Sequence, residues 1–277
     1  MCIIQTSLLN MEKFKNRRVL ITGGASGIGK IMGRLALQKG AELIIWDIDK
    51  QKMDDVKVEF SNLGKVYTFH VDISDIEQIK TSSQRVLNEI GIVDILINNA
   101  GIIIGKYFSE HSSDDIRRTM EINANAAMYI TQEFLPEMIK QNSGHICNIA
   151  SSAGLISNPK MSVYAASKWA VIGWSDSLRI EMKQQKHNIK ITTVTPYYIN
   201  TGMFDGIRSR VPILKPEKAA RKIIRGIERN KIFVSMPWSV HLVRFMQGLF
   251  PVWLFDWFVG GVMGIYDTMT HFVGRGK

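Results

Sequence analysis

Cysteine is nearly absent: only Cys2 and Cys147 occur in 277 residues, too far apart in the chain to form a local motif. A disulfide framework and a cysteine zinc site are thereby excluded, no metal centre is expected, and a reducing cytoplasmic compartment is the natural setting. Long apolar runs are also missing. The longest nearly uncharged stretch, 249–265, is interrupted by Pro251 and Asp256 and falls short of the ~20 residues a spanning helix needs. The start, MCIIQTSLLNMEKF, has neither a basic leader nor a cleavage site, so residues 1–14 read as a tail rather than a targeting segment. No internal repeat and no low-complexity linker divides the chain, which favours a single domain. Acidic residues are in deficit: 25 Asp and Glu against 35 Lys and Arg give a net charge of +10. That imbalance suits an anionic partner without naming one.

What remains is ordinary globular composition, with 45% hydrophobic and 22% charged residues, so disorder is excluded. The excess charge is local. Residues 206–277 carry 12 basic and four acidic side chains, a local +8, whereas the first 205 residues carry only +2. The same quarter holds three of the six Trp and ten of the 25 aromatic residues. The C-terminal part, 237–277, is therefore expected to be an aromatic-rich extension packed on the body at 15–236.

From Arg17 onward, short β-branched runs alternate with segments of helical periodicity. VLIT (19–22), LIIWD (43–47), VYTFHV (66–71), VDILIN (93–98), HICNIA (145–150) and IKITTVT (189–195) read as strands, and IFVS (232–235) as a seventh. Each is almost continuously apolar, as strands covered on both faces must be. Segments 30–39, 76–90 and 216–229 have helical spacing. Repeated βα units with right-handed crossovers give an α/β, doubly wound Rossmann fold with a seven-stranded parallel sheet.

The first strand runs directly into TGGASGIG (22–29) and then a helix. Gly23, Gly27 and Gly29 allow a tight turn and close approach of the backbone to a pyrophosphate, which the helix N-terminus stabilises. Asp47 ends the second strand, where a carboxylate accepts hydrogen bonds from a ribose 2′-OH and repels a 2′-phosphate. No Lys or Arg lies in the glycine loop at Ser26, so NAD is favoured over NADP. Asp47 and Asp49 are both candidates for the simpler role of helix cap. Farther along, Tyr164 and Lys168 are spaced i and i+4 in SVYAASKWA and share one helix face. An ammonium beside the phenol favours the phenolate and suits Tyr164 to general acid/base work. Ser151 lies at the end of the fifth strand, where ligands bind in open α/β sheets.

Over almost its whole length the chain resembles the short-chain dehydrogenase/reductase family. The matching residues are TGGASGIG (22–29), Asp72, NNAG (98–101), Asn123 in EINANA, Ser151, YAASK (164–168) and the segment 196–201. The resemblance implies that Tyr164 is the acid/base and that Ser151 orients the substrate oxygen. Lys168 would bind the nicotinamide ribose and lower the tyrosine pKa, and Asn123 would hold a water in the proton relay. It further implies cofactor contacts at Gly23, Ser26, Gly27, Ile28 and Gly29, at Asp47, at Asp72 and Ile73, and at Asn99, Ala100 and Gly101. Tyr164, Lys168, Pro196, Ile199 and Thr201 complete that set. Ser152 is the rival for the serine role, one position off the spacing to Tyr164.

One departure stands out: TPYYINTGMF has Tyr197 where the family usually has glycine after the proline. With WDID after strand two and VPILKPE (211–217), the pattern resembles the branch of retinol dehydrogenases and lipid-associated hydroxysteroid dehydrogenases. Eukaryotic members of that branch usually carry an N-terminal hydrophobic anchor, and with only a short apolar run before Glu12 none is expected here. The expected activity is hydride transfer between NAD and a lipophilic alcohol or carbonyl. The alternative is a non-catalytic dinucleotide-binding scaffold or sensor. Segment 204–212 is the expected substrate loop. The aromatic stretch from Met236 onward suits a pocket wall, a subunit interface of a homodimer or homotetramer, or a membrane interface. Nucleic acid is a poor partner for it, since its basic residues are interleaved with apolar runs.

Overall fold

The computed structural model describes residues 13–274; Cys2 and the tail through residue 12 lie outside them. Seven parallel strands form one sheet in the order β3-β2-β1-β4-β5-β6-β7. They are β1 (Arg18–Thr22), β2 (Glu42–Asp47), β3 (Val66–His70), β4 (Ile95–Asn98), β5 (Gly144–Ile149), β6 (Ile189–Pro196) and β7 (Phe233–Met236). The connecting helices are α1 (Gly27–Leu37), α2 (Lys50–Glu59), α3 (Ile76–Glu89), α4 (Ser113–Met120), α5 (Ala126–Lys140), α6 (Ser162–Gln184) and α7 (Pro216–Glu228). Two more, α8 (Val240–Leu249) and α9 (Val252–Asp256), follow the last strand.

Alternation along each strand explains why the runs are apolar throughout. Val19, Ile21, Leu43, Ile45, Ile95 and Ile97 point to one face, where they pack with Met32 and Ala36 of α1 and Ile223, Ile224 and Ile227 of α7. Leu20, Ile44, Trp46 and Leu96 point to the other, against Ile79 of α3, Phe134 of α5 and Leu178 of α6. Each such side chain, fully buried, contributes ~1.5–3 kcal/mol relative to exposure. Phe14, placed by its sequence at the end of the tail, is completely buried in the first of these cores. Ordered packing therefore begins ahead of β1.

The strand order reverses between β1 and β4, which opens a crevice at their carboxyl ends. A third apolar cluster lies at that end. It joins Tyr164, Tyr197 and Tyr198 to Val240, Phe255, Val259, Ile265 and Met269 from the C-terminal segment. Among the described residues, no helix is long and apolar enough to cross a membrane.

Candidate active site

One cavity of about 350 Å³ occupies the crevice. At one end it is walled by the β1–α1 turn. Gly23 has φ +63°, a conformation that side chains rarely adopt. A Cβ on Gly29 would lie 2.2 Å from the Gly23 carbonyl oxygen and 2.7 Å from Asn99 Nδ2, so only glycine lets α1 start this close to the turn. Ser26 caps α1 without a side-chain hydrogen bond, and no acidic residue occupies the first turn. The helix therefore presents its free N–H groups and positive dipole end to the cavity, beside Gly27 and Ile28. That cradle fits a pyrophosphate.

Asp47 and Asp49 separate into two roles. Asp49 caps α2 by accepting the Lys52 N–H, whereas Asp47 lines the cavity, its carboxylate accepting N–H groups of Ala25 at 3.0 Å and Asp49 at 3.1 Å. Asp72 also lines the cavity, one oxygen turned back onto Ser74 N and Oγ at 2.9 and 2.7 Å. Ile73, Ala100, Gly101, Pro196, Ile199 and Thr201 are part of the same wall. Asn99 lines it too, but its amide nitrogen holds the glycine turn, donating to the carbonyls of Thr22 at 2.9 Å and Gly23 at 3.2 Å.

At the other end Ser151, Tyr164 and Lys168 converge, each buried. The Ser151 hydroxyl oxygen accepts the Ala153 N–H at 3.1 Å, which leaves its proton free to be aimed at the Tyr164 oxygen on the same cavity wall. Lys168 Nζ donates to the Ile149 carbonyl at 3.0 Å and lies 5.7 Å from the centre of the Tyr164 ring. Burial lowers the lysine pKa to about 8. The depressed tyrosine pKa expected from Lys168 is not found in the protein alone: burial pushes Tyr164 up to about 12, and only the nearby Ser151 hydroxyl opposes it. Spacing on a helix brings the two side chains together but says nothing about desolvation, which dominates here. Ser152 is buried and lines the same cavity.

Asn123 stands behind this group rather than in the cavity wall. It lies in a π-helical turn, Glu121–Asn125, between α4 and α5. Its amide binds the backbone of Ile102 through both ends, at 2.8 and 2.9 Å, and donates to Ser167 Oγ at 3.1 Å. It thereby fixes the strand-four loop, where a Cβ on Gly101 would fall 3.1 Å from Asn123 Oδ1 and 3.5 Å from Lys168 Nζ. π-Turns of this kind recur at functional sites.

A family model described as short chain dehydrogenase matches residues 17–212. The chain belongs to the short chain dehydrogenase family. Epidermal retinol dehydrogenase 2 of Mus musculus is 35% identical over 266 residues, covering 94% of this dehydrogenase and 86% of the relative. Short-chain dehydrogenase/reductase family 16C member 6 of Bos taurus is 35% identical over 236 residues, 83% of this chain and 75% of that one. A crystal structure of a short chain dehydrogenase/reductase from Burkholderia phymatum in complex with NAD has the same fold, with a TM-score of 0.78 and 23% identity over 85% of this chain and 94% of that one. The dehydrogenase is an alcohol dehydrogenase-type oxidoreductase that uses a nicotinamide dinucleotide, and the scaffold alternative finds no support.

Arg118, Asn158 and Ile265 line the cavity without belonging to a recognisable motif, and Tyr198 does so inside the matched segment 196–201 but with no role implied for it. Tyr197 and Phe204 line it as well, one noted only as a departure and the other only as part of a loop.

Proposed function

We propose that the dehydrogenase interconverts a long apolar alcohol of retinoid-like character and its carbonyl counterpart, with NAD as the preferred dinucleotide. The observation that carries this reading is the convergence of Ser151, Tyr164 and Lys168 with an uncapped helix end in one crevice whose far wall is apolar. Ile102, Ile156, Met161, Met203, Phe204 and Ile265 furnish that wall. When bound, the dinucleotide supplies the hydride acceptor and, in its oxidised form, a positive ring beside the phenol. Tyr164 then takes the hydroxyl proton as the carbinol C–H bond releases its electron pair as hydride, leaving a carbonyl; reduction returns both. Ser151 orients the substrate oxygen, and Lys168, fixed on the Ile149 carbonyl, supplies the ribose contact. The Asp47 carboxylate supports NAD, since a 2′-phosphate beside it would meet like charge. Retinol as substrate draws support from the names of the relatives. Tyr164→Phe tests the reading: NADH binding should persist while retinol turnover falls by at least ~10²-fold, the scale of general acid/base catalysis. Retained turnover would refute the assignment.

Two surface features bear on partners. Trp238, Phe245, Leu249, Val252, Trp253 and Trp257 are all more than 60% exposed on the C-terminal segment. Such a strip, in the quarter of the sequence that carries the excess positive charge, suits seating in a membrane interface. Its inner side is buried with Tyr164, which supports reading 237–277 as part of the same domain as 15–236. On α6, exposed Trp169 and Ile180 flank Gly173, which has open space above it; this supports a homodimer or homotetramer built through that helix.

A further inference from the structure

The roof over the substrate end of the crevice comes from two segments distant in sequence. One is the loop 203–211 after β6, the other the C-terminal stretch 265–273. They are joined to each other: Arg208 N donates to the Thr268 carbonyl at 3.2 Å, and Val273 N donates to the Asp205 carbonyl at 2.9 Å. Each is also tied to one of two adjacent tyrosines. Tyr197 Oη lies 2.8 Å from Ser209 Oγ, and because the Ser209 hydroxyl donates to the Val211 carbonyl at 2.9 Å, the tyrosine is the donor. Tyr198 Oη lies 2.9 Å from Thr268 Oγ1, whose own proton goes to the Ile265 carbonyl at 2.8 Å, so here too the tyrosine donates. Asn158 closes this second knot, its Nδ2 donating to Tyr198 Oη at 3.1 Å and to Thr268 Oγ1 at 2.8 Å.

Between the knots and the reacting group sits Phe204. Its ring meets Tyr198 edge-on at 4.9 Å and Tyr164 edge-on at 6.0 Å. Both tyrosine rings are buried, and burial raises both phenol pKa values, that of Tyr197 to about 12, so each stays a proton donor at neutral pH. Glycine, which the family usually has at the first of these positions, can make neither a ring contact nor a hydroxyl bond. Ring filling alone would be satisfied by phenylalanine, yet both hydroxyls have found hydroxyl partners on the roof.

We propose that Tyr197 and Tyr198 are positioning residues that latch the loop 203–211 and the C-terminal stretch 265–273 together as one wall of the substrate pocket, and so tune the enzyme toward bulky apolar substrates. The selectivity clause rests on the lipophilic-substrate reading above; the latch itself does not.

Tyr→Phe at each position removes only the hydroxyl and keeps the ring. The test is amide hydrogen exchange of the full-length protein, read by mass spectrometry, on Tyr197→Phe, Tyr198→Phe and the double variant, alongside steady-state kinetics with retinol and NADH titration. A buried neutral hydrogen bond corresponds to about fivefold in an opening equilibrium. Exchange in 203–211 should therefore quicken about fivefold in Tyr197→Phe, that in 265–273 about fivefold in Tyr198→Phe, and both in the double variant, while β-sheet peptides keep their protection. KM for retinol should rise severalfold with kcat equal or higher, because a looser wall weakens binding and speeds release. NADH affinity should stay within about twofold. Should the phenylalanine variants fail to fold, Ser209→Ala and Thr268→Val cut the same two bonds from the roof side. Unchanged exchange in both segments of the double variant would overturn the latch, as would faster exchange spread evenly over the sheet. A wild-type enzyme inert toward lipophilic alcohols would sink the substrate reading, while faster exchange confined to the roof would still uphold the latch.

Discussion

Replacing Gly29 by alanine tests the cofactor end of the site most directly. The added methyl carbon would fall 2.2 Å from the Gly23 carbonyl oxygen and 2.7 Å from Asn99 Nδ2. Unstrained contacts of this kind lie near 3.3 Å or beyond, so the start of α1 must separate from the β1–α1 turn by roughly 1 Å. Neither obstacle can swing away. The first is backbone, and the second is tied to the carbonyls of Thr22 and Gly23. Forcing one methyl into packed surroundings costs ~1–3 kcal/mol, which for a domain of this size lowers Tm by about 2–10 °C. Cofactor affinity should suffer more, because the displaced elements are the helix end and turn that form the proposed pyrophosphate cradle. Losing one hydrogen bond to a charged phosphate corresponds to ~1.5–3 kcal/mol, so NADH affinity measured by fluorescence titration should fall by at least about tenfold. Gly248→Ala, with no heavy atom within 4 Å of its added carbon, is the control for a neutral methyl. If Gly29→Ala binds NADH like the wild type and melts at the same temperature, the close approach inferred for α1 is wrong.

Other expectations follow from single features. Asp47→Ala removes a carboxylate from the cavity wall, and the ratio of NAD to NADP affinity should drop by about tenfold, the scale of a hydrogen bond to a charged group; an unchanged ratio would assign ribose reading to another residue. His145 is 1% exposed; its Nε2–H donates to Thr192 Oγ1 at 2.8 Å, whose own proton goes to the Lys231 carbonyl, its Nδ1 accepts from Lys13 Nζ at 3.0 Å, and burial beside Lys13 and Lys190 holds its pKa well below 6.5. The unfolded chain then binds a proton that the folded one refuses. Stability from this group is complete above pH 6.5 and is lost as pH falls toward the folded pKa, by up to ~1.4 kcal/mol per pH unit. Urea midpoints at pH 8 and pH 5.5 should differ less in His145→Gln than in the wild type, and equal differences would discount the histidine. For the exposed aromatic strip, Trp253→Ser with Trp257→Ser should weaken sedimentation with anionic phosphatidylserine vesicles at least about tenfold; undiminished binding would move the contact elsewhere.

The sheet was legible because parallel strands are apolar on both faces, a signal that needs no partner to be read. Its edges were less so. The run 93–98 reads as one strand, but β4 begins at Ile95, since the Asp94 carboxylate is instead engaged by the Arg18 N–H and the Arg17 guanidinium. The glycine turn, Asp47 and the Ser151, Tyr164 and Lys168 group were legible for a related reason: each depends on a backbone position at a strand end or on spacing along one helix. What spacing cannot convey is environment. It brought Lys168 to Tyr164 but not the burial that raises the phenol pKa, and it marked Asn123 but not the π-turn that aims its amide at Ile102 and Ser167. The substrate wall was least visible, because it has no local period at all. Tyr198 and Thr268 are 70 positions apart, and Asn158 and Thr268 are 110 apart, yet they form one buried knot. The loop 204–212 and the aromatic C-terminal stretch were legible as candidate walls, but only the tyrosine at a position where the family usually has glycine hinted at what joins them. A hydroxylated ring there fills space that glycine leaves open and must find a partner for its proton once buried. Its cost if left unpaired, ~1–3 kcal/mol, is what ties the departure in sequence to the joined roof over the crevice.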